Sequence, residues 1–190
     1  VIKKFKTNPN IDLIIHDADL VNENLKKTNH SAISQIVLGF NNTDVFITGA
    51  LTSFNKKLIK YFLPFPKNLI GHDGFMHFVS KNLGTRMVIN DKLQMVRRHT
   101  NNTSDWVASS LKKINKFDVF KKQFFSKRAK NYNDRLEQVN HMIDIIDKLR
   151  YEKHYFSRET LFLSLNKLIK EKEALQKRNL LDKKKFFKRK

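Results

Sequence analysis

Cysteine is absent from the 190-residue sequence, which excludes disulfides, thiolate metal ligands and thiol nucleophiles and fits a reducing compartment. Glycine and proline are scarce, with five and three copies. The sequence contains no Walker loop, Gly-x-Gly-x-x-Gly element or zinc-ligand spacing, so we expect no glycine-rich phosphate-binding loop. No apolar run approaches the roughly 18 residues that span a bilayer. These absences direct attention to carboxylate, imidazole and cationic side chains.

Acidic residues are also few. The sequence has 18 Asp and Glu compared with 38 Lys and Arg, so its formal net charge is +20. Residues 1–103 hold 14 of the basic and 7 of the acidic residues, and residues 104–190 hold 24 and 11. A basic excess of this kind indicates nucleic acid or an anionic membrane surface as partner. Compositional drift, which also enriches Lys, Asn, Ile and Phe, explains it without any partner.

The pattern of residues 1–103 predicts an α/β domain. A helix end at residues 1–6 precedes a buried strand at 11–15, and a polar loop is expected at 22–34. Further predicted strands lie at residues 36–40, 45–48, 86–89 and 93–96, and a turn at 90–92 joins the last two. A predicted helix at 53–62 has lysines 56, 57 and 60 in solvent. A second predicted helix at 75–83 is closed by Gly84. Residues 104–190 predict three long helices and a basic, aromatic end.

Two carboxylates two residues apart, Asp17 and Asp19, follow the first predicted strand. Such a pair can bind Mg²⁺ or Mn²⁺, because hard cations prefer oxygen ligands. The alternative is a strand end followed by a turn acid, and the family resemblance described below implies this alternative.

The segment Gly71-His72-Asp73-Gly74-Phe75 puts an acid and an imidazole where a helix is predicted to begin. Two roles are open to Asp73. It is either the N-cap of the helix and nothing more, or it faces a cleft with its carboxylate held by backbone N–H groups and the helix dipole. Further along, strand alternation puts Arg97 and His99 on one face and Arg98 on the other. Arg97 and His99 can therefore point into one cleft, or they are ordinary surface residues.

These segments, taken in order, resemble the second half of the nucleotide-sugar-binding domain of family 2 glycosyltransferases. The matching pieces are Thr48-Gly49-Ala50, Leu63-Pro64-Phe65-Pro66, His72-Asp73, and Val96-Arg97-Arg98-His99 followed by Asn101-Asn102. The resemblance implies that residues 1–103 are the acceptor-side half of a GT-A-type domain and that residues 104–190 are a helical, basic C-terminal extension. It covers a little over half of the chain.

The resemblance also implies roles. Asp73 would be the general base of an inverting sugar transfer from a nucleoside-diphosphate donor, and His72 would flank it. Arg97 and His99 would meet the diphosphate, or His99 would bind the metal. Gly49 and Ala50 would line the sugar or acceptor, because Gly49 lets the backbone come close.

The cofactor implied is Mn²⁺ or Mg²⁺, with its main acidic ligands upstream of Val1. The chain alone, which starts at Val1 rather than Met, is therefore expected to be inactive. The expected acceptor is a glycan or lipid-linked glycan of the cell envelope. The expected location is cytoplasmic, peripheral at the inner membrane face through the basic tail. The alternative function is a basic nucleic-acid-binding or scaffolding protein without catalysis.

Overall fold

The computed structural model of the chain describes residues 1–45, 48–66, 69, 71–99, 110–125, 132–151 and 156–187. Its helices are α1 Ile2–Thr7, α2 Ala32–Phe40, α3 Ile59–Phe62, α4 His72–Asn82, α5 Lys116–Phe125, α6 Tyr132–Tyr151 and α7 Arg158–Phe187. Its strands are β1 Leu13–Val21, β2 Lys27–Ser31, β3 Thr52–Phe54 and β4 Arg86–Arg97, and short 3₁₀ turns occupy Thr43–Val45 and Lys56–Leu58. The protein is therefore mixed α/β with a helical C-terminal region, as the sequence predicts.

The four strands form one mixed sheet in which β1 is the central strand. β2 pairs with β1 in antiparallel register, with Asp19 opposite Ser31 and Val21 opposite Lys27, and a bulge separates the two pairs. β3 lies next to β1 in the strand order, and β4 also pairs with β1. Eight of the nine residues of β1 are buried, as expected of an apolar strand that is covered on both faces.

The chain divides into two compact units, each built from separated segments. The first unit comprises Val1–Leu13, Phe54–Arg86 and Ala129–Lys190. In its core, apolar side chains of α4 pack with those of α6 and α7, among them Phe75, Val79, Met142, Ile146 and Leu165. The second unit comprises Ile14–Ser53 and Met87–Arg128.

The core of the second unit forms where α2 covers the sheet. Its buried side chains are Ile15, Ala18 and Leu20 of β1, Ala32, Ile33 and Ile36 of α2, and Leu51. Gln35 of α2 adds a polar anchor, because its amide donates to the carbonyls of Ser110 and Lys112 and accepts from the N–H of Ile114. A long-range side-chain anchor of this kind ties residues 110–114 to the helix.

Two sequence predictions about the region around α2 need correction. Residues 36–40 are helical rather than extended, because Ser31 and Ser34 form a capping box and Asn41 ends the helix in the left-handed conformation. Of the predicted loop at 22–34, residues 22–26 are a loop, whereas the rest forms β2 and the first turn of α2. Of the predicted strand at 45–48, residue 45 belongs to a 3₁₀ turn, and residues 46 and 47 lie outside the described part of the chain.

Three further boundaries differ from the sequence predictions. The first strand extends through His16 and Asp19 to Val21, because Leu20 and Val21 continue its buried pattern. The predicted turn at 90–92 is absent, and β4 runs unbroken through it. The predicted helix at 53–62 is shortened to the 3₁₀ turn at 56–58 and α3, since residues 53 and 54 belong to β3.

The helical predictions for the C-terminal half are confirmed for α6 and α7. The first of the three predicted helices begins only at Lys116, and Trp106 lies outside the described residues. The predicted domain boundary at residue 103 lies outside them as well, and the two compact units divide the chain along different lines. Within the described ranges, every helix falls short of the length and apolarity that a membrane crossing requires.

Candidate functional site

Asp73 lies in the first turn of α4, two residues after the helix N-cap, Gly71. Of the two alternatives for Asp73, the N-cap one is therefore wrong. Gly71 has a φ of +81°, which side-chain-bearing residues rarely adopt, and a Cβ added there would lie 3.3 Å from Asp73 Oδ1. The N–H of Gly74 donates to Asp73 Oδ1 at 2.8 Å. The first turn of α4 therefore offers this carboxylate a backbone donor and the positive end of the helix dipole.

The carboxylate of Asp73 is accessible. The residue is half-buried, and it forms no ion pair among the described residues. Its neighbour His72 is exposed. Such a carboxylate can accept a proton from a bound hydroxyl group without first breaking a salt bridge.

Packing behind the first turn of α4 keeps the backbone of Asp73 in place. Phe75 is 1% exposed, and its ring meets Phe65 edge-on at 6.1 Å and lies 5.6 Å from the imidazole of His141 in α6. Phe78, on the next turn, lies under the guanidinium of Arg135 at 4.2 Å. These aromatic contacts anchor α4 to α6 within the first unit.

His77 and Arg86 form a polar contact that sequence reasoning missed. His77 is 2% exposed, and Arg86 Nε donates to His77 Nδ1 at 3.1 Å. Nδ1 of His77 is therefore the acceptor in this contact, which leaves Nε2 as the ring nitrogen that can donate. His77 lies four residues after Asp73 and therefore on the same side of α4. That spacing of an acid and a histidine is the signal that could have identified His77.

The predicted residues Gly49 and Ala50 lie in an exposed turn of the second unit. The turn is closed by Thr52, whose N–H donates to the Gly49 carbonyl at 3.1 Å and whose Oγ1 donates to the Thr48 carbonyl at 2.6 Å. Leu51 is buried, and its carbonyl accepts from the N–H of His16 in β1 at 3.1 Å. Gly49 and Ala50 are thus presented to solvent at one end of a fixed turn.

Arg97 is the last residue of β4, and both Arg97 and His99 are exposed while Arg98 is half-buried. The backbone N–H of Arg98 donates to the Val21 carbonyl of β1 at 2.9 Å. The alternation expected from the sequence is therefore present. Arg97 and His99 belong to the second unit, as do Gly49 and Ala50, whereas His72 and Asp73 belong to the first.

Asp17 and Asp19 both have protein partners. Asp17 is buried, and its Oδ1 accepts from the N–H of Ala18 at 2.8 Å and from that of Ile33, in the first turn of α2, at 2.9 Å. Asp19 lies between Lys27 at 2.6 Å and Lys92 at 3.1 Å. The hydrogen bonds from Lys27 and Lys92 lower the pKa of Asp19 below its ordinary value. Both carboxylates are thus bound by protein groups, and both lie inside β1, so the expectation of a turn acid after the strand end is wrong about their position.

The metal role suggested for His99 gains no further ligands from the described part of the chain. There, no group of three or more His, Asp or Glu residues is placed to hold a metal ion.

A buried ion pair next to β1 was also missed. Asp12 is fully buried, and its Oδ1 lies 2.7 Å from Lys57 Nζ, which also donates to the Pro9 carbonyl at 3.3 Å. The prediction that Lys57 is a solvated surface lysine is therefore wrong. Its charge offsets the cost of burying the Asp12 carboxylate.

Comparison of the chain with protein-family models, with curated proteins and with solved structures found no match.

Proposed function

We propose that the chain is the acceptor-side part of an inverting glycosyltransferase of the GT-A type, with Asp73 as its general base. The observation that carries the proposal is the carboxylate at the start of α4. It is accessible, it forms no ion pair among the described residues, and one of its oxygens accepts the N–H of Gly74. The ordered resemblance of residues 48–102 to family 2 glycosyltransferases supplies the class of reaction.

In the proposed reaction, Asp73 takes the proton of an acceptor hydroxyl as the oxygen attacks the anomeric carbon of the donor sugar. The bond from that carbon to the nucleoside diphosphate breaks at the same time, and the configuration inverts. His72, exposed beside Asp73, orients the acceptor or the donor. A sugar of an envelope glycan or of its lipid-linked precursor is the proposed acceptor.

The leaving diphosphate carries negative charge. In the proposed reaction, the exposed guanidinium of Arg97 and the imidazole of His99 bind its phosphate oxygens. Gly49 and Ala50 are assigned to the sugar, because an exposed turn with little side chain lets the backbone approach a ligand. Mn²⁺ or Mg²⁺ is the proposed cofactor, and the steps assigned to residues of this chain do not pass through it.

The test is the variant Asp73→Asn, made in the longest product of the gene and assayed against a panel of nucleoside-diphosphate sugars with Mn²⁺. Asparagine keeps the size of the side chain and the hydrogen bond from Gly74 but cannot take a proton. We expect kcat to fall about 10²- to 10⁴-fold, the usual contribution of a general base, with donor binding unchanged.

A matched control is Asp118→Asn, because Asp118 is another first-turn acid, in α5, whose Oδ2 accepts from the N–H of Asn115 at 2.9 Å. It should keep full activity. An Asp73→Asn enzyme as active as wild type would leave Asp73 as a helix-terminal acid only. If no donor binds, and nucleic acid binds with a steep salt dependence, the basic nucleic-acid-binding alternative replaces the proposal.

A further inference from the structure

Helix α7 has an inner face that packs into the first unit. Leu161, Leu165, Leu168 and Leu175 are 1–7% exposed and belong to the core formed with α4 and α6. Arg135 of α6 donates to Glu171 of α7 at 2.7 Å, and Asn179 of α7 donates to Asn133 of α6 at 2.9 Å. One face of α7 is therefore fully used by the fold.

The outer face of α7 carries a second set of apolar side chains. Phe162, Ile169 and Leu180 are 58%, 40% and 59% exposed, and they recur after seven and eleven residues, both close to whole numbers of helical turns. Leu163 and Leu181, 59% and 57% exposed, are five turns apart on the same outer side. A helix that only covers a core needs one apolar stripe, so this second set indicates an interaction surface.

Cations accompany these exposed apolar residues. Lys167, Lys170, Lys177 and Arg178 are exposed on α7. The whole helix holds nine Lys and Arg against four Asp and Glu, and residues 177–190 hold eight against one. The stems of such side chains lie along apolar surface while their charged ends reach for anions. The outer face is therefore matched to a partner that is apolar and anionic together.

The C-terminal end of α7 extends past the described start of α6. Because Asn133 is the second residue of α6, the bond from Asn179 marks the described start of α6, and α7 continues beyond it for about 12 Å at the helical rise of 1.5 Å per residue. At the other end of α7, Arg150, Arg158, Leu161 and Phe162 line a cavity of about 270 Å³, so cations and apolar groups adjoin there too.

We infer that the outer face of α7 binds the surface of an anionic lipid bilayer. Leu180, Leu181 and Phe162 enter the boundary between headgroups and acyl chains, and the flanking lysines and arginines contact lipid phosphates. This membrane contact does not depend on the proposed sugar transfer, because none of the residues assigned to catalysis lies on α7. The proposed membrane-binding surface runs along the whole of α7, whereas the sequence analysis expected membrane contact only through the basic tail at residues 183–190.

The experiment is sedimentation of the full chain with vesicles of phosphatidylcholine alone and of phosphatidylcholine with phosphatidylglycerol in equal parts. We expect binding to the anionic vesicles only, weakened by salt. The double variant Leu180→Glu/Leu181→Glu should bind at least about tenfold more weakly, since it replaces apolar contact with repulsion. Both residues are exposed, so circular dichroism and thermal unfolding should match wild type.

The matched control is Leu93→Glu/Met95→Glu, which adds the same two charges at the 49% and 58% exposed residues of β4. It should retain most of the vesicle binding. If both double variants bind the vesicles equally, the loss of binding depends on net charge alone, and the assignment to α7 is overturned. Absence of binding to anionic vesicles would also overturn it. So would a chain that sediments as a dimer and becomes monomeric in the α7 variant, because the outer face would then bind a second copy.

Discussion

At the scale of single residues, four aspartates of the chain differ in what holds their charge. Asp12 is buried against the ammonium of Lys57, and Asp17 accepts backbone N–H groups at the start of α2. Asp19 lies between two lysines, whereas Asp73 has one backbone donor and no ion pair among the described residues. A carboxylate that is already neutralised by a partner is a poor candidate for proton transfer, and this contrast favours Asp73.

Asp19 makes a prediction about pH. Its hydrogen bonds from Lys27 and Lys92 hold its pKa in the folded protein below the ordinary value of 3.8. A depressed carboxyl pKa stabilises the folded state at pH values above the pKa of the unfolded chain, and this stabilisation is lost as the pH falls through the folded pKa. We expect the stability difference between wild type and Asp19→Asn to be constant above about pH 5 and to shrink below about pH 4.

Urea unfolding of both proteins across this pH range measures the difference, and carboxyl NMR gives the pKa of Asp19 directly. Replacing Lys27 and Lys92 by alanine should bring the pKa back towards 3.8. A wild-type Asp19 that titrates at or above that value would contradict the prediction.

At the scale of helices and strands, capped helix ends and paired strands decided the conformation of segments whose sequence is ambiguous. The β-branched residues of 36–40 favour a strand, yet the Ser31 capping box and the Asp17 carboxylate favour the helix α2. Residues 90–92 have the composition of a turn, yet pairing with β1 keeps β4 extended, and Lys92 reaches Asp19. Local propensity is weaker than a satisfied helix end or a paired strand.

Two glycines, Gly74 inside α4 and Gly84 just after it, should respond to substitution in opposite directions. Gly84, at φ +70°, would place a Cβ 2.7 Å from Thr160 Cγ2 of α7. We expect Gly84→Ala to lower the free energy of unfolding by about 1–3 kcal/mol through backbone strain and this contact. Gly74 lies inside α4, where a Cβ would meet no described atom within 4 Å, so Gly74→Ala should raise it by about 0.5–1 kcal/mol.

Urea denaturation of the two variants measures both changes. Adding Thr160→Ser to Gly84→Ala removes the methyl group that the new Cβ meets, so it should recover part of the loss. If the double variant is no more stable than Gly84→Ala, the cost is backbone strain alone. An unchanged stability of Gly84→Ala would show that the left-handed conformation at residue 84 is not required.

At the scale of the whole molecule, each compact unit is assembled from distant parts of the chain. The segment that carries His72 and Asp73 completes its core with α6 and α7 from the C-terminal end. Within this unit, α6 and α7 help to bury Phe75 and Val79 of α4. The predicted boundary at residue 103, which lies outside the described residues, stays a prediction.

A shortened chain tests this dependence. A chain that ends at residue 128 lacks α6 and α7, so the apolar side of α4 would be exposed. We expect its α4 amides to lose protection against hydrogen exchange and the chain to bind an apolar dye. In the full chain, Leu165→Ala should lower the free energy of unfolding by about 2–5 kcal/mol in a single cooperative transition.

Protected α4 amides in the shortened chain would contradict this expectation. That result would show that the helix carrying Asp73 folds without α6 and α7, as a boundary near residue 103 implies.

The sequence by itself determined the α/β class, the buried first strand, the closure of α4 by Gly84 and the existence of α6 and α7, because each depends on local apolar periodicity or on a local helix signal. It also singled out the acid at the start of α4. Only the tertiary structure decided that residues 36–40 are helical and that the buried Asp12 and His77 pair with Lys57 and Arg86. Those outcomes depend on contacts between residues far apart in the sequence, which periodicity does not encode.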